Sequence, residues 1–489
     1  MKHALRNGIS SKVISRLYSA VIVATAVLIP AIVLLRVVRN FQHQYFLSWV
    51  DGVWLTCAFD FVHGVLYRPL LGSLGYGGVR YFPLYFVLTG GLSKILGSLE
   101  TSGLILSAAS IVLLLCACYV LLWRLHVSVL LSLAAITAVC AAATTQEALL
   151  NTKGDGLAAM LSLWGVTFCI GSKPRRGLLY LAAVLFILAF ATKLTTVFGF
   201  VAVILGWILS RRYKEASQLG LATFLGYVLV LSAIFFGSNG RALEVFRACA
   251  GGGGSLIRAL QAPFHMLAMT LVDPVMLLFL VPAAALALSS FKHNGTQILL
   301  IYFVLVLLVT LIIFGSPGTA INHLLDLHVA AVLVIAFSIS RSPAIAEVGT
   351  GILALSLLVA CSSTAQAFRG DLNRRSFRLD VQQVLERLPA DSRPVLAENP
   401  IVVLKSGKTP YLLDPFMFRA LTSERPEFGQ DLWEKITHRG FSAIILVNDP
   451  RAFPSWYREI HFGGEFLQDL EASYSFQYSL GGMYIYRPK

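Results

Sequence analysis

Residues 19–38 read SAVIVATAVLIPAIVLLRVV, a largely apolar run whose only charged residue is Arg36 near its end. As a helix rising 1.5 Å per residue, such a run spans about 30 Å, the thickness of a bilayer's hydrocarbon. Further apolar runs lie at 83–97, 103–122, 127–143, 155–170, 178–192, 194–210, 218–236, 266–289, 297–314, 322–340 and 346–363. Composition agrees: 57% of residues are hydrophobic, 13% are charged, and the mean hydropathy is +0.74. A soluble domain carries about twice that share of charge. The expected fold is a polytopic α-helical membrane protein with a transmembrane domain over 1–365. The runs 83–97, 155–170 and 178–192 are short for a crossing, which packed interior helices tolerate.

Basic residues orient the spans, because loops rich in Lys and Arg stay in the cytoplasm. They occur at Lys2, Arg6, Lys12 and Arg16, then at Arg124/His126, Lys173/Arg175/Arg176, Arg211/Arg212/Lys214, Lys292/His293 and Arg341. With all of these inside, every span from 103 onward alternates correctly if 83–97 does not cross. That segment is therefore expected to be re-entrant or to lie along the membrane, leaving about eleven crossings, or twelve if it does cross. The outer segments are then 39–82, 144–154, the turn near Lys193, 237–265, 315–321 and the tail. The N-terminal run shows no small-residue cleavage pattern, so the reading is a multi-pass plasma-membrane protein that keeps its first helix. The seven cysteines fall in or beside spans with no paired or metal-type spacing, as buried small residues do. The net charge of +14 suits membrane lipids and a phosphate-bearing lipid; no nucleic-acid motif is present.

From about 366 the composition changes. Arg374 to Leu388 has helical spacing of apolar residues, ended by Pro389 and Asp391. Val395–Ala397, Tyr411–Leu413 and Ala443–Val447 read as strands, a helix is expected at 428–439 with Gly440 after it, and Tyr474 to Tyr486 reads as a hairpin around Gly481–Gly482. The tail, 366–489, is expected to be a small extracytoplasmic α/β domain.

The polar residues cluster on the outer side. The first outer loop, 39–82, holds Asp51, Asp60, His63, Tyr67, Arg68, Arg80 and Tyr81. Asp51 opens a stretch in which Trp54, Ala58, Phe61 and Val65 share a helical face. Such a helix would lie on the membrane surface and point Asp51 into a cavity, where a carboxylate can deprotonate an acceptor hydroxyl; the plain alternative is a helix cap. Glu147, Lys153 and Asp155 follow in TTQEALLNTKGDG. Lys193 stands between two spans, as a cation suited to a phosphate or as the partner of Asp155. Arg241, Arg247, Arg258 and His265 surround four glycines at 251–254, a composition fitting a lid over an anionic head group or a plain connector. Asn322, His323 and Asp326 share one turn, a weak candidate for metal binding.

Together these residues resemble the GT-C class of polytopic glycosyltransferases, especially bacterial members similar to protein-O-mannosyltransferases and lipid A aminoarabinose transferases. The matching features are the acidic residue in SWVDGVW; the Tyr-x-Pro-Leu-Tyr element Tyr81-Phe82-Pro83-Leu84-Tyr85; Lys153-Gly154-Asp155 at the head of a span; Thr192-Lys193 between two spans; and Asn322 to Asp326. The resemblance covers roughly 19–365. It implies transfer of a sugar from a polyprenyl-phosphate donor to an extracytoplasmic acceptor, which is a glycan, lipid or protein. It also implies inversion, with Asp51 as catalytic base and Arg80, Tyr81, Lys153, Asp155, Lys193, Arg247, Arg258, Asn322 and Asp326 binding substrate. The usual Arg-Pro-Asp triplet is Lys-Gly-Asp here, and Gly52 follows Asp51 where an acidic pair would stand. A divalent-metal cofactor is therefore only weakly implied. The competing class is a transporter or flippase of lipid-linked sugars. It predicts internal repeats and charges near the bilayer midplane, whereas this chain shows no repeat between its halves and gathers its polar residues at one face.

Overall fold

The computed structural model describes all residues except Met1, 172–174, 250–254, 274, 277, 281, 284–296, 317 and 389–390. The basic residues Lys173, Lys292 and His293, the four glycines and Pro389 therefore lie outside the described residues. The apolar run at 266–289 is described only in part. Helices follow in order: α1 (Lys2–His43), α2 (Trp49–Val62), α3 (Leu84–Leu96), α4 (Leu99–Arg124), α5 (Val129–Ala141), α6 (Ala143–Leu150), α7 (Asp155–Cys169), α8 (Arg176–Thr192), α9 (Val197–Leu209), α10 (Tyr213–Gly237), α11 (Arg241–Cys249) and α12 (Leu256–Val272). Then come α13 (Gln297–Phe314), α14 (Leu325–Arg341) and α15 (Pro343–Leu372).

Among the described residues, six helices are long and apolar enough to cross a membrane, seven if the bent pair α5–α6 is one span. Shorter apolar helices pack among them: α3, α7, α8, the segment Leu194–Leu209, and α12. A helix the length of α3 reaches about 20 Å, too short to cross alone. The fold is a polytopic α-helical membrane bundle followed by a small α/β domain. The long helices α1 and α10 turn Val23, Val27, Leu34, Leu221, Leu229 and Phe236 outward, as lipid-facing surfaces do. By contrast α14 is buried from Leu327 to Ile339 and runs through the centre.

The two ends of the bundle differ. At one end Arg341 donates to Leu125 O (3.0 Å) and Arg124 to Thr167 O (2.8 Å), which gathers basic helix ends. At the other, Lys405 of the tail pairs with Glu100 at the head of α4 (3.2 Å). The tail thus covers the end away from the basic loops.

Two sequence expectations change here. Residues 144–154 are no open loop. After a 63° bend at Ala142, α6 turns back into the protein and buries Thr144, Thr145, Gln146 and Leu150. The backbone of α5–α6 can break there because the freed Ala143 N–H donates to Asp273 (2.8 Å), and Gln146 donates to Ala141 O (2.8 Å). Nor does α2 lie on a membrane surface. It is buried from Asp51 to Ala58 and again at Asp60. Alternation along α2 marks only one apolar face, but the tail helix α17 (Ile401–Leu404) covers the other, joining Ile401 to Leu47, Leu55 and Leu104.

The tail begins with α16 (Phe377–Glu386), capped at Leu379 N by Ser376. Two short strands of the first loop, β1 (Leu71–Gly72) and β2 (Gly75–Tyr76), pair antiparallel, and the tail's sheet has the order β3 (Val395–Ala397), β4 (Ala443–Leu446), β6 (Met483–Pro488), β5 (Tyr474–Leu480). The β3–β4 pair is parallel and the other two pairs are antiparallel. Gly481 (φ +58°) and Gly482 (φ +79°) form the two-residue hairpin turn that the Gly-Gly pair announces. Three further helices, α18 (Pro415–Glu424), α19 (Gln430–Thr437) and α20 (Phe466–Ser473), complete it.

Tyr411–Leu413 does not join this sheet. It pairs with the first loop: Tyr76 N donates to Tyr411 O (2.8 Å) and Leu413 N to Tyr76 O (3.0 Å). Gly75 permits this approach, since its φ is +83° and a Cβ would stand 2.0 Å from Tyr411 O. The buried Arg68 guanidinium donates to both oxygens of Asp60 (2.6 and 2.8 Å), to Leu74 O (3.2 Å) and to Pro410 O (2.7 Å). Burial pushes the Asp60 carboxyl up, and the Arg68 hydrogen bonds pull it back. Loop and tail are one unit here. Ser423 and Ser455 are exposed on the tail. Cysteines placed there should react with an impermeant maleimide in intact cells; reaction only after permeabilisation would reverse the orientation.

Candidate active site

The site is assembled at the tail end of the bundle from ends of short helices. The bases of α7 and α8 meet there: Lys193, just beyond α8, donates to Asp155 Oδ1 at the first residue of α7 (2.6 Å). Asn322 Nδ2 donates to the other Asp155 oxygen (2.8 Å), and Lys193 Nζ lies 3.3 Å from His323 Nδ1. Asp155, Lys193, Asn322 and His323 therefore form one connected group, with Asp326 a turn further along. Lys193 and Asp155 keep 21% and 11% of their side-chain surface accessible, so the group borders a cleft rather than a sealed core. Lys153 pairs with Glu147 of α6 (2.7 Å) beside it. The glycine of Lys153-Gly154-Asp155 has a packing reason: a Cβ at 154 would meet Trp54 at 3.0 Å, Thr192 at 3.3 Å and Tyr85 at 3.4 Å.

The Tyr81–Tyr85 element holds this corner. Tyr81 stacks on Trp54 with ring centres 4.1 Å apart, and Tyr85 meets Trp54 edge-on at 5.2 Å. Tyr85 OH donates to Gly103 O (3.0 Å) and accepts from Ser107 Oγ (2.8 Å), fixing α3 to α4.

Arg80 enters from the first loop. Its guanidinium lies over the Phe416 ring (5.3 Å), and Nη1 reaches Ser316 Oγ (3.4 Å). Among the described residues it has no ion pair, although Lys153 and Lys193 each have one. His323 is within electrostatic reach of Lys193, Asp155, Arg80 and Lys153, so the three cations surround one region. Asp414, which caps α18 through Phe416 N and Met417 N (3.0 and 3.1 Å), is a tail acid within electrostatic reach of Arg80. Burial raises its carboxyl above the usual range, and the backbone donors and Arg80 oppose that.

Asp51 is placed differently from the expectation. It does not point into an open cavity; it is wholly buried. Ser48 N and Oγ donate to Oδ2 (2.7 and 2.5 Å), and Thr152 N and Oγ1 to Oδ1 (2.6 and 3.2 Å). The carboxylate thus ties the first turn of α2 to the 151–154 segment, and four donors occupy the lone pairs that an acceptor hydroxyl would need. Arg247 on α11 and Arg258 on α12 are exposed, and among the described residues neither side chain is hydrogen-bonded or ion-paired to the connected group. Among the described residues no group of three or more His, Cys, Asp or Glu side chains is placed to hold a metal ion.

One buried pair escaped the sequence reading. Glu398 accepts from His461 Nδ1 (2.6 Å), Trp456 Nε1 (2.6 Å), Tyr457 OH (3.0 Å) and Val447 N (2.8 Å), and the His461 ring meets Trp49 of α2 edge-on at 4.6 Å. Its members are 63 residues apart on irregular segments, and no spacing signals them.

No family model and no curated protein matches the sequence. Solved structures do. ArnT from Cupriavidus metallidurans bound to undecaprenyl phosphate superposes with a TM-score of 0.61 at 10% identity, over 94% of this chain and 97% of that one. The oligosaccharyltransferase AglB from Archaeoglobus fulgidus, in complex with an inhibitory peptide and a dolichol-phosphate, gives 0.57 at 12%, over 96% and 74%. The chain shares the fold of these two proteins. The mycobacterial arabinofuranosyltransferase AftD gives 0.52 at 16% identity; this chain spans 97% of its own length but 40% of AftD. The bundle here thus comes with a compact tail, locked to the first loop at Arg68 and Tyr76.

A cavity of ≈ 900 Å³ near Arg124, His126 and Arg175 lies at the opposite helix ends and shares no residue with this site.

Proposed function

We propose that the chain is an inverting glycosyltransferase that moves a sugar from a polyprenyl-phosphate donor to an extracytoplasmic glycan, lipid or protein. The observation that carries this reading is Arg80: a cation without an ion pair among the described residues, held by Phe416 and Ser316 at a cleft that Lys153 and Lys193 also border. That arrangement suits a phosphate, which Arg grips through paired N–H donors and Lys as a compact charge. ArnT bound to undecaprenyl phosphate and AglB in complex with a dolichol-phosphate share the fold, which makes a lipid phosphate the natural ligand. Stabilising the leaving phosphate would be the main source of rate enhancement, because fixed charges aimed at developing charge need no rearrangement during reaction. Tyr81 and Asn322 shape the cleft walls in this reading. Arg247 and Arg258, exposed on the outer surface, would meet the lipid head groups or an incoming substrate rather than the reacting atoms.

Gathering of the polar residues at one end of the bundle supports transfer over transport, which needs access from both sides. The two readings part on one measurement. A transferase releases undecaprenyl phosphate from undecaprenyl-phosphate sugars in the presence of acceptor, and a flippase leaves the donor intact.

Arg80→Ala should weaken undecaprenyl-phosphate binding by about tenfold to a hundredfold, the scale of losing charge-assisted hydrogen bonds. Thermal stability should change little, because among the described residues Arg80 has no ion pair to break. Arg80→Lys should restore part of the affinity. Wild-type affinity in Arg80→Ala would remove Arg80 from the donor site.

A further inference from the structure

We propose that the cavity at the basic end of the bundle seats the phosphate head group of an anionic phospholipid from the adjoining leaflet. Three helices build it. α4 ends at Arg124, α7 ends at Cys169 and α8 begins at Arg176, and α7 packs against both of the others. A space of ≈ 900 Å³ opens beside these ends, with Arg124, His126 and Arg175 in its lining. No Asp or Glu is among the described residues that line it. It lies at the end of the bundle away from Asp155 and Lys193, so the inference stands apart from the transfer reading above.

The basic side chains here are held but not neutralised. Among the described residues none of the three has an ion pair. Arg124 Nη1 donates to Thr167 O (2.8 Å), and its guanidinium lies over the Phe168 ring (5.6 Å). That fixes the group at the cavity and leaves its charge unmatched. Arg341 donates to Leu125 O (3.0 Å), which brings a further cation against the same turn. Capping the last carbonyls of α7 accounts for Arg124. It does not account for Arg175 or His126, whose side chains make no hydrogen bond among the described residues. Like charges gathered without a counter-ion repel, and an anion between them removes that cost. Gly177 leaves room for one: a Cβ there would meet nothing within 4 Å.

The surroundings select a lipid over a soluble anion. Tyr119 and Trp123 are exposed on the last turns of α4, and Tyr180 and Leu181 on the first turns of α8. Between these helices α7 is buried along its whole length except at Trp164 and Phe168, one turn apart, and Phe168 lines the cavity. Trp164 Nε1 donates to Leu113 O (3.0 Å), which ties this accessible edge of α7 to α4. Cations at the helix ends thus give way to apolar side chains along the helices, the order in which a phospholipid presents phosphate and then acyl chain. A tryptophan at the end of a span belongs at head-group depth. Basic pockets between membrane helices bind anionic head groups, and guanidinium meets phosphate through paired N–H donors.

The test uses the full chain in detergent micelles, titrated with phosphatidylglycerol or phosphatidylcholine of the same acyl chains, with bound lipid counted by native mass spectrometry. Phosphatidylglycerol should bind at least about tenfold tighter. Each cation facing the head group is worth about fivefold in affinity, so Arg175→Gln should weaken binding about fivefold and Arg124→Gln with Arg175→Gln about twenty-five-fold. Arg175→Gln breaks no hydrogen bond and should unfold at the wild-type temperature. Gly177→Phe fills the space without changing charge, and it should also abolish the preference for phosphatidylglycerol. Arg211→Gln with Lys214→Gln lowers the charge of the same face by as much but touches no residue of the lining, and it should leave the affinity unchanged. Equal binding of the two lipids overturns the inference. So does an equal loss in the Arg211/Lys214 pair, which would leave only general attraction to a basic surface, or wild-type affinity in Gly177→Phe. Glycerol 3-phosphate binding as tightly as the phospholipid would overturn the lipid assignment in favour of a soluble anion.

Discussion

Asp51→Asn is expected to destabilise the protein by about 3 kcal/mol or more, the sum of two or more lost hydrogen bonds to a charged acceptor. The carboxylate accepts from Ser48 on one oxygen and Thr152 on the other. An amide has one accepting oxygen, so its NH2 must face one of those donor pairs. The cost falls on the joint between α2 and the segment leading into Asp155. Thermal unfolding should show the loss directly, and transfer per folded molecule should fall by less than about tenfold if Asp51 is a brace. Unchanged stability together with a hundredfold loss of turnover would return Asp51 to the role of base.

The second large effect is expected at Lys193. Lys193→Ala leaves Asp155 with Asn322 alone, and breaking a buried pair by removing one partner costs about 3–5 kcal/mol. The accessible surface that both side chains keep puts the expected loss at the lower end of that range. Undecaprenyl-phosphate binding should also weaken by about a hundredfold if Lys193 meets the phosphate. The double mutant separates the two effects. Lys193→Ala with Asp155→Ala removes the uncompensated charge, so stability should partly recover with clear coupling between the sites. Binding should stay weak if Lys193 touches the ligand. Recovery of both would reduce the pair to a bolt between α7 and α8.

Much of the candidate site was legible because its residues interrupt apolar runs. A lysine at 193 or an acid at 155 or 326 has few tolerable places in a membrane protein other than a polar cleft, so composition alone marks it. What periodicity misjudged is equally instructive. Trp54, Ala58, Phe61 and Val65 share a face of α2, and that stripe suggests a helix lying on the bilayer. The opposite face carries Leu55 and Asp51, and whether it meets water or protein depends on α17, which is more than three hundred residues later in the chain. Likewise Tyr411–Leu413 has strand-like composition, but composition names no partner; the partner is Tyr76 in the first loop.

The sequence by itself determined the membrane bundle, the change of character near 366, and the hairpin at Gly481–Gly482. Each depends on local quantities: the hydrophobic length of a helix, the density of charge, and the left-handed conformation that glycine adopts freely. Only the tertiary structure decided which side chains have partners. Asp51, Asp155 and Asp326 look alike as acids near helix starts. Distant donors at Thr152, Lys193 and Asn322 engage both oxygens of the first two, whereas Oδ1 of the third has no partner among the described residues. Hydrogen-bond satisfaction is a property of what surrounds a group in space, and no spacing along the chain encodes it.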